Sequence, residues 1–511
     1  MGGLEWDVST ESYVCRLSAP LQTLALTDWT TVQYAGKLPT IGDLPEDVVL
    51  EIFYFYKLAC PCDYGGSWRW QREWHKLVHV CRQWRTIIFA SQHRLELQLF
   101  CTPKKPITKT LDLWPAFPIV VQEGPYKMDL LPDDQLTAAL QQHDRICKIS
   151  LRVGGPRFER ISQIMQPFPL LEHLSLRSDR VPVERVLPST FLGGSAPRLR
   201  ALYLDGITFP ALPRLLSSAC DLVKLSLLER VPSTEYISPE ALVSGLSATA
   251  RLKTLRLDFV RGTFRSKRLG KDAPPPSSGR IVFSTLTKIS FRGRSEYLED
   301  FVSRISAPSL EHMVISFFNQ PSFKKVSQLS KFLGRVEPQR LPDLVNVTRY
   351  AHQSYSFSYP RTARTPECIF SKYLDVSLAL PIPRLEISLI THILQQISFM
   401  LTGVLTLEIE TFTRRSGDNH DEDVAHWLDL LRMFNRVENI LFLGDTFPGA
   451  PRALQLVSAE MAADVLPALR ELTLSPITSE SREAIESFVE ARKLAGLPSI
   501  RLDMIPAPGQ A

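Results

Sequence analysis

Cys60 and Cys62 are followed after twelve residues by His75 and then by His79. These are the donor types of a tetrahedral zinc site, but the spacing argues against one. The Cys-x-Cys step is one residue short of the usual minimum. Both histidines also fall among Trp74, Val78 and Cys81, which already read as the apolar side of a helix. No metal is expected. Catalytic patterns are equally absent: there is no Walker loop, G-x-S-x-G elbow, H-E-x-x-H pair or glycine-rich dinucleotide fingerprint. We therefore expect no catalytic residue, no cofactor and no enzyme activity. A basic run, Arg261, Arg265, Lys267, Arg268 and Lys271, offers nuclear-import or phosphate chemistry. With Gly270 and Pro274 beside it, the run reads rather as a solvated insertion.

Composition narrows the class further. The chain has 511 residues, 44% of them hydrophobic and 22% charged, which is the balance of a folded protein. A net charge of +5 over that length does not call for nucleic acid. Eight scattered cysteines lack the dense spacing of a disulfide scaffold and read as reduced thiols. The opening MGGLEWDVST has no apolar signal core, and no stretch is long enough to span a membrane. The expected location is cytoplasmic or nuclear, with no membrane and no nucleic acid as partner.

Two kinds of element would position any binding residues. The first is a helical zone that starts at Asp43-Leu44-Pro45-Glu46, a capping-box arrangement with Pro45 in the first turn. Val49, Ile52, Phe53 and Tyr56 follow at helical spacing. After the loop CPCDYGGSW, a second helix is expected to bring Trp74, Leu77, Val78, Cys81, Trp84 and Ile88 onto one face.

The second element is a recurring motif, apolar-x-x-apolar-x-apolar. It begins at Ile146, Leu171, Leu199, Leu222, Leu252, Leu286 and Leu310, and again at Val437 and Leu469. The first seven copies start 25, 28, 23, 30, 34 and 24 residues apart. This brackets the leucine-rich-repeat period. Each copy predicts a short strand followed by a helix or turn, and only stacking can bury its apolar edge. Interruptions are expected near 261–280, 318–400 and 413–423. In the second of these, Leu374-Asp375-Val376-Ser377-Leu378 alternates as a degenerate strand would.

The pieces DLPEDVVLEIF and LVHVCRQWRTII resemble the F-box. Its Leu-Pro opening, apolar-acidic-Ile-Phe run and Val-Cys-Arg-x-Trp match Leu44, Pro45, Val48, Val49, Ile52, Phe53, Val80, Cys81, Arg82 and Trp84. The long aromatic-rich gap that contains WRWQREWHK departs from the pattern. LDLWPAFPIVV, WLDLLRMF and FVEARKLAGLP are similar to segments of the F-box/leucine-rich-repeat proteins abundant in mushroom-forming fungi. The resemblance implies a substrate-recognition adaptor of an SCF-type ubiquitin ligase. Leu44, Pro45, Val48, Ile52, Phe53, Val80, Cys81 and Trp84 would dock on the Skp-type linker subunit, and the repeats would hold a protein target. The alternative is a repeat scaffold that binds the linker subunit without promoting ubiquitylation. The expected division is an N-terminal segment 1–37, an all-α F-box 38–92, a linker 93–139 and an irregular α/β leucine-rich-repeat solenoid with a parallel sheet over 140–511.

Side chains alternate along a strand, so the residues between the motif leucines should line the concave face of the solenoid. Arg177, Tyr203, Lys224, Arg256, Lys288 and Arg292 are then the candidate target-binding residues. They make a mildly basic face suited to an acidic or phosphorylated segment.

Overall fold

The computed structural model describes residues 44–59, 74–101, 107–114, 116–123, 130–179, 183–230, 237–259, 279–317, 327–336, 344–350, 354–358, 375–379, 391, 394–395, 398–411, 424–444, 449–474 and 479–504. Asp43, the Cys60–Cys62 stretch and the basic run at 261–271 lie outside them. The chain forms two units, Met1–Ile146 and Cys147–Ala511.

In the first unit, α1 (Glu46–Ala59) starts where the Pro45 carbonyl accepts the amides of Val48 and Val49 at 3.0 and 3.1 Å. A helical turn follows at 74–77, then α2 (Arg82–Ala90). The single helix expected over Trp74–Ile88 is thus broken. Cys81 is extended (φ −155°) and caps α2, its Sγ accepting the Trp84 amide at 3.5 Å. Arg85 Nε donates to the Val78 carbonyl at 3.0 Å, satisfying an acceptor that the break releases.

The stretch 93–139, expected as a linker, holds four further elements. These are β1 (Leu99–Cys101), α3 (Ile107–Leu113), β2 (Ile119–Gln122) and α4 (Asp133–Leu140), with β1 and β2 paired in parallel. The core of the unit is aromatic. Trp74 is 1% exposed and meets Trp114 and Phe117 edge-on at 5.3 and 5.6 Å, and Phe89 closes on both.

The second unit is built from the motif. Its first sheet runs β3 (Ile146–Val153), β4 (His173–Ser178), β5 (Ala201–Asp205), β6 (Lys224–Leu228) and β7 (Thr254–Asp258). After the short β8 (Ile281–Val282) it continues with β9 (Lys288–Gly293). Then, past the short β10 (Ile305–Ser306), which pairs with β8, comes β11 (His312–Phe317). Every neighbouring pair from β3 to β11 in this sheet is parallel. Leu174, Leu202, Leu225, Leu255, Ile289 and Met313 form one buried row; Leu176, Leu204, Leu227, Leu257, Phe291 and Ile315 form the next. Leu227 alone of these twelve is only half-buried.

The leading residue of each motif, Leu171, Leu199, Leu222, Leu252, Leu286 or Leu310, is 0% exposed. Each donates its amide to the carbonyl three residues back, so one tight turn precedes every strand. Helices follow the strands: α5 (Gly155–Ser162), α6 (Leu212–Ser218), α7 (Pro239–Leu246), α8 (Ser295–Ser303) and α9 (Ser327–Leu333). From α6 to α9 each packs on the next, which buries the repeat edges that one unit cannot cover alone.

The region 318–400 adds β12 (Leu344–Tyr350), β13 (Ser354–Ser358) and β14 (Asp375–Ala379). β14 extends the first sheet beside β11, as the Leu374–Leu378 alternation suggested. β12 and β13 pair antiparallel, a departure from the all-parallel expectation. The second sheet continues from β12 to β15 (Thr406–Thr411), β16 (Asn439–Gly444), β17 (Glu471–Leu474) and β18 (Arg501–Met504), all parallel. Its helices are α10 (Ser398–Leu401), α11 (Val424–Arg432), α12 (Gly449–Gln455) and α13 (Ser479–Leu494). β15 uses a motif copy that the sequence reading missed, VLTLEI from Val404, with Val404, Leu407 and Ile409 at most 1% exposed.

An asparagine ladder usually satisfies the turn carbonyls of such stacks, and its positions here hold other residues. Side chains from the following unit take over the task. Thr285 Oγ1 lies 2.9 Å from both the Ala250 and Leu252 carbonyls. Arg335 Nη2 donates to Val302 and Ile305 at 3.2 and 3.1 Å. Arg492, 1% exposed, donates to Leu466, Pro467 and Leu469 at 2.9, 3.3 and 3.2 Å. The Arg492 bonds to Leu466 and Leu469 satisfy buried acceptors.

Candidate functional site

α1 carries two apolar faces. Val49, Leu50 and Phe53 turn inward, at 1%, 6% and 0% exposure. Phe53 meets the Trp84 ring edge-on at 4.9 Å and so joins α1 to α2. Val48, Ile52, Phe55 and Tyr56 turn outward at 43%, 39%, 63% and 36%. Their spacing of four, then three or four, makes one solvent-facing stripe. Arg94 flanks α1, with Nη2 2.5 Å from Glu51 Oε1 and Nη1 3.8 Å from Asp47.

The structure therefore divides the expected docking residues. Pro45, Val48, Ile52, Val80 and Cys81 are exposed, Leu44 and Trp84 are half-buried, and Phe53 is an internal packing residue. Phe55 was missed by the sequence reading, although it lies three residues after Ile52 on the same face. His75 and His79 belong to the aromatic cluster, His75 stacking on Trp74 at 3.9 Å and His79 meeting Trp114 at 6.3 Å. Among the described residues no three His, Cys, Asp or Glu side chains are placed to hold a metal ion.

The second surface is the outer face of the first sheet, where strand register stacks the non-core residues in three rows. The row nearest the strand starts reads Lys148, His173, Ala201, Lys224, Thr254, Lys288 and His312. The middle row reads Ser150, Ser175, Tyr203, Ser226, Arg256, Ser290 and Val314. The row nearest the strand ends reads Arg152, Arg177, Asp205, Leu228, Asp258, Arg292 and Ser316. All six expected target-binding residues lie on this face.

They are not equivalent. The strand-end row is an ion-pair network. Asp205, 4% exposed, accepts two bonds from Arg230 (2.5 and 2.8 Å) and one from the Tyr203 hydroxyl at 3.2 Å. Burial raises the Tyr203 hydroxyl pKa first, and the Asp205 charge raises it further. Arg177 lies over the Tyr203 ring at 4.9 Å. Arg256 and Arg292 approach Asp258 at 3.8 and 3.9 Å. Burial pushes the Asp258 carboxyl above its ordinary range, and the two arginines oppose that shift. Beyond the network, Arg185 binds Asp179 and Ser178. Leu228, in the strand-end row, is 8% exposed between Asp205 and Asp258. The thiols of Cys101 and Cys147 are pushed up to about 12 by burial and are not thiolates at neutral pH.

Among the described residues no helix is long and apolar enough to cross a membrane. No family model and no curated protein matches the chain. Among solved structures, a chain in the crystal structure of a TLR13–ssRNA13 complex is similar at 13% identity and a TM-score of 0.31. The match covers 76% of this chain and 48% of that one, so this chain spans about half its length. The fold itself is fixed by the strand register and the repeated turn: the chain is a mixed α/β protein with a leucine-rich stack of parallel strands.

Proposed function

We propose that the chain is a non-catalytic adaptor of an SCF-type ubiquitin ligase. In this reading the first unit docks on the Skp-type linker subunit and the repeat unit holds a protein target. One observation carries it: the part of the chain that resembles the F-box leaves Val48, Ile52, Phe55 and Tyr56 exposed along one side of α1 while Phe53 faces inward. An amphipathic helix in a small unit normally hides its apolar residues. A second apolar stripe on the same helix fits a surface that a partner completes, and α1 is the helix that carries the first of the two pieces resembling the F-box. Transfer chemistry would belong to other subunits, and the adaptor would act by raising the local concentration of the target.

Co-expression with a Skp-type linker subunit tests the docking step. The two chains should co-purify, and the pair Val48→Asp/Ile52→Asp should abolish this while leaving the chain folded. Co-purification unchanged by that pair would refute the docking surface. Reconstituted transfer of ubiquitin to a bound target separates an adaptor from a scaffold that binds the linker subunit alone.

A further inference from the structure

The outer face of the first sheet is electrically divided. At the strand ends, the guanidinium groups of Arg230, Arg256 and Arg292 face Asp205 and Asp258, and Arg177 is spent on Tyr203. At the strand starts the cations are uncompensated. Lys224 and Lys288 are exposed and Lys148 is half-buried; among the described residues no carboxylate lies within ion-pair distance of any of them. Arg200 and Lys253, one position before β5 and β7, are exposed beside them. Among the described residues, Glu172 lies just before β4, between Lys148 and Lys224, and Glu311 and Asp375 stand at the far end beyond Lys288. The groups feel each other: burial lowers the His173 pKa first, and Lys148, Arg200 and Lys224 lower it further against the opposing pull of Glu172.

We propose that the row Lys148–Lys224–Lys288, with Arg200 and Lys253, is the docking track for an extended acidic segment of a partner protein, laid across the strands. This rests on the reading of the repeat unit as the target-binding part. It moves the expected contact away from Arg256 and Arg292, whose charge Asp258 already engages, to the strand starts.

The register sets the spacing of the ligand. Neighbouring strands lie about 4.8 Å apart. Lys224 and Lys288 are two strands apart, roughly 10 Å, which is about three residues of extended chain. Lys148 and Lys224 are three strands apart, roughly 14 Å, or about four residues. The matching segment has Asp or Glu at roughly positions 1, 5 and 8. Four of the five cations of the track are lysines, point charges without the planar fork that suits a phosphate, and Arg200 is the single fork among them, so spaced carboxylates fit better than one phosphate. Single-stranded nucleic acid needs aromatic platforms as well as charge. The aromatic ring of the middle row, Tyr203, is covered by Arg177.

The test is fluorescence anisotropy with the full chain and four labelled probes. These are a peptide with Glu at the stated spacing, the same composition with the Glu residues contiguous, a monophosphorylated peptide and a single-stranded RNA of similar length. The spaced peptide should bind tightest and weaken as salt rises. Lys224→Ala/Lys288→Ala should cost it about tenfold in affinity, whereas Arg256→Ala/Arg292→Ala should cost much less. Equal binding of spaced and contiguous peptides, tighter binding of the phosphopeptide or the RNA, or indifference to the lysine pair would overturn the proposal. A protein target that the repeat unit captures equally well after Lys224→Ala/Lys288→Ala would sink this track yet leave the adaptor reading standing.

Discussion

Replacing Val48 and Ile52 by aspartate separates a docking face from a structural one, because the two side chains sit beside Phe53 on the same helix but point outward. Fully burying a Val, Ile or Phe side chain contributes about 1.5–3 kcal/mol. Scaled by exposures of 43% and 39%, covering Val48 and Ile52 would contribute about 1 kcal/mol each, and Phe55 at 63% about 2 kcal/mol. The double substitution removes the first two terms, about 2 kcal/mol in all. It also places two carboxylates under the partner, which adds at least about 2 kcal/mol of desolvation. The sum, about 4 kcal/mol, is roughly a thousandfold loss of affinity for the linker subunit. Stability should change by no more than about 0.5 kcal/mol, as for other surface positions. Biolayer interferometry reads the first quantity. Urea unfolding followed by tryptophan emission reads the second, because seven of the eight tryptophans lie in the first unit. Affinity within about threefold of the parent, or a loss of stability matching the loss of binding, would refute the reasoning.

Other expected outcomes follow from burial. Phe53→Ala, one residue from Ile52, should destabilise the first unit by about 3–5 kcal/mol through loss of its contact with Trp84; the same tryptophan-detected unfolding measures it. Glu299 on α8 accepts the amides of Gln328 and Leu329 at the start of α9, at 2.7 and 3.1 Å, and burial raises its pKa to about 7. The native state then keeps a proton that the unfolded chain releases near pH 4.5, so stability should fall as pH rises from about 4.5 to 7, by at most ~3 kcal/mol. Glu299→Gln should flatten that slope in urea titrations at several pH values, and an unchanged slope would count against the assignment. Arg492→Met removes the donors of the Leu466, Pro467 and Leu469 carbonyls and should cost about 2–4 kcal/mol. Hydrogen exchange should quicken first at 466–472, and uniform exchange across the second sheet would argue against a local clamp.

The repeat architecture was legible in the sequence because its signal is local and repeated. A leucine five residues from its partner, with another between, is buried wherever parallel strands stack, so Leu171, Leu174 and Leu176 could be assigned without knowing their neighbours. Leu228 escaped this logic. It is buried between Asp205 and Asp258, which adjacent strands bring beside it from distant positions in the sequence. The break between Trp74 and Arg82 was illegible for a similar reason: no Pro or Gly marks it, and it is held by the Cys81 cap and the Arg85 bond to Val78. For the candidate sites, the sequence supplied residue types and the two apolar helical stripes. It left undecided which side of α1 faces inward, since Ile52 and Phe53 fit either face until Trp84 arrives from α2. It also counted Arg256, Arg292, Lys224 and Lys288 as equal positive charges. Charge is a property of the residue, but its availability to a partner is set by what lies within about 4 Å: Asp258 shares β7 with Arg256, two residues away, but only the stacking of strands brings it to Arg292.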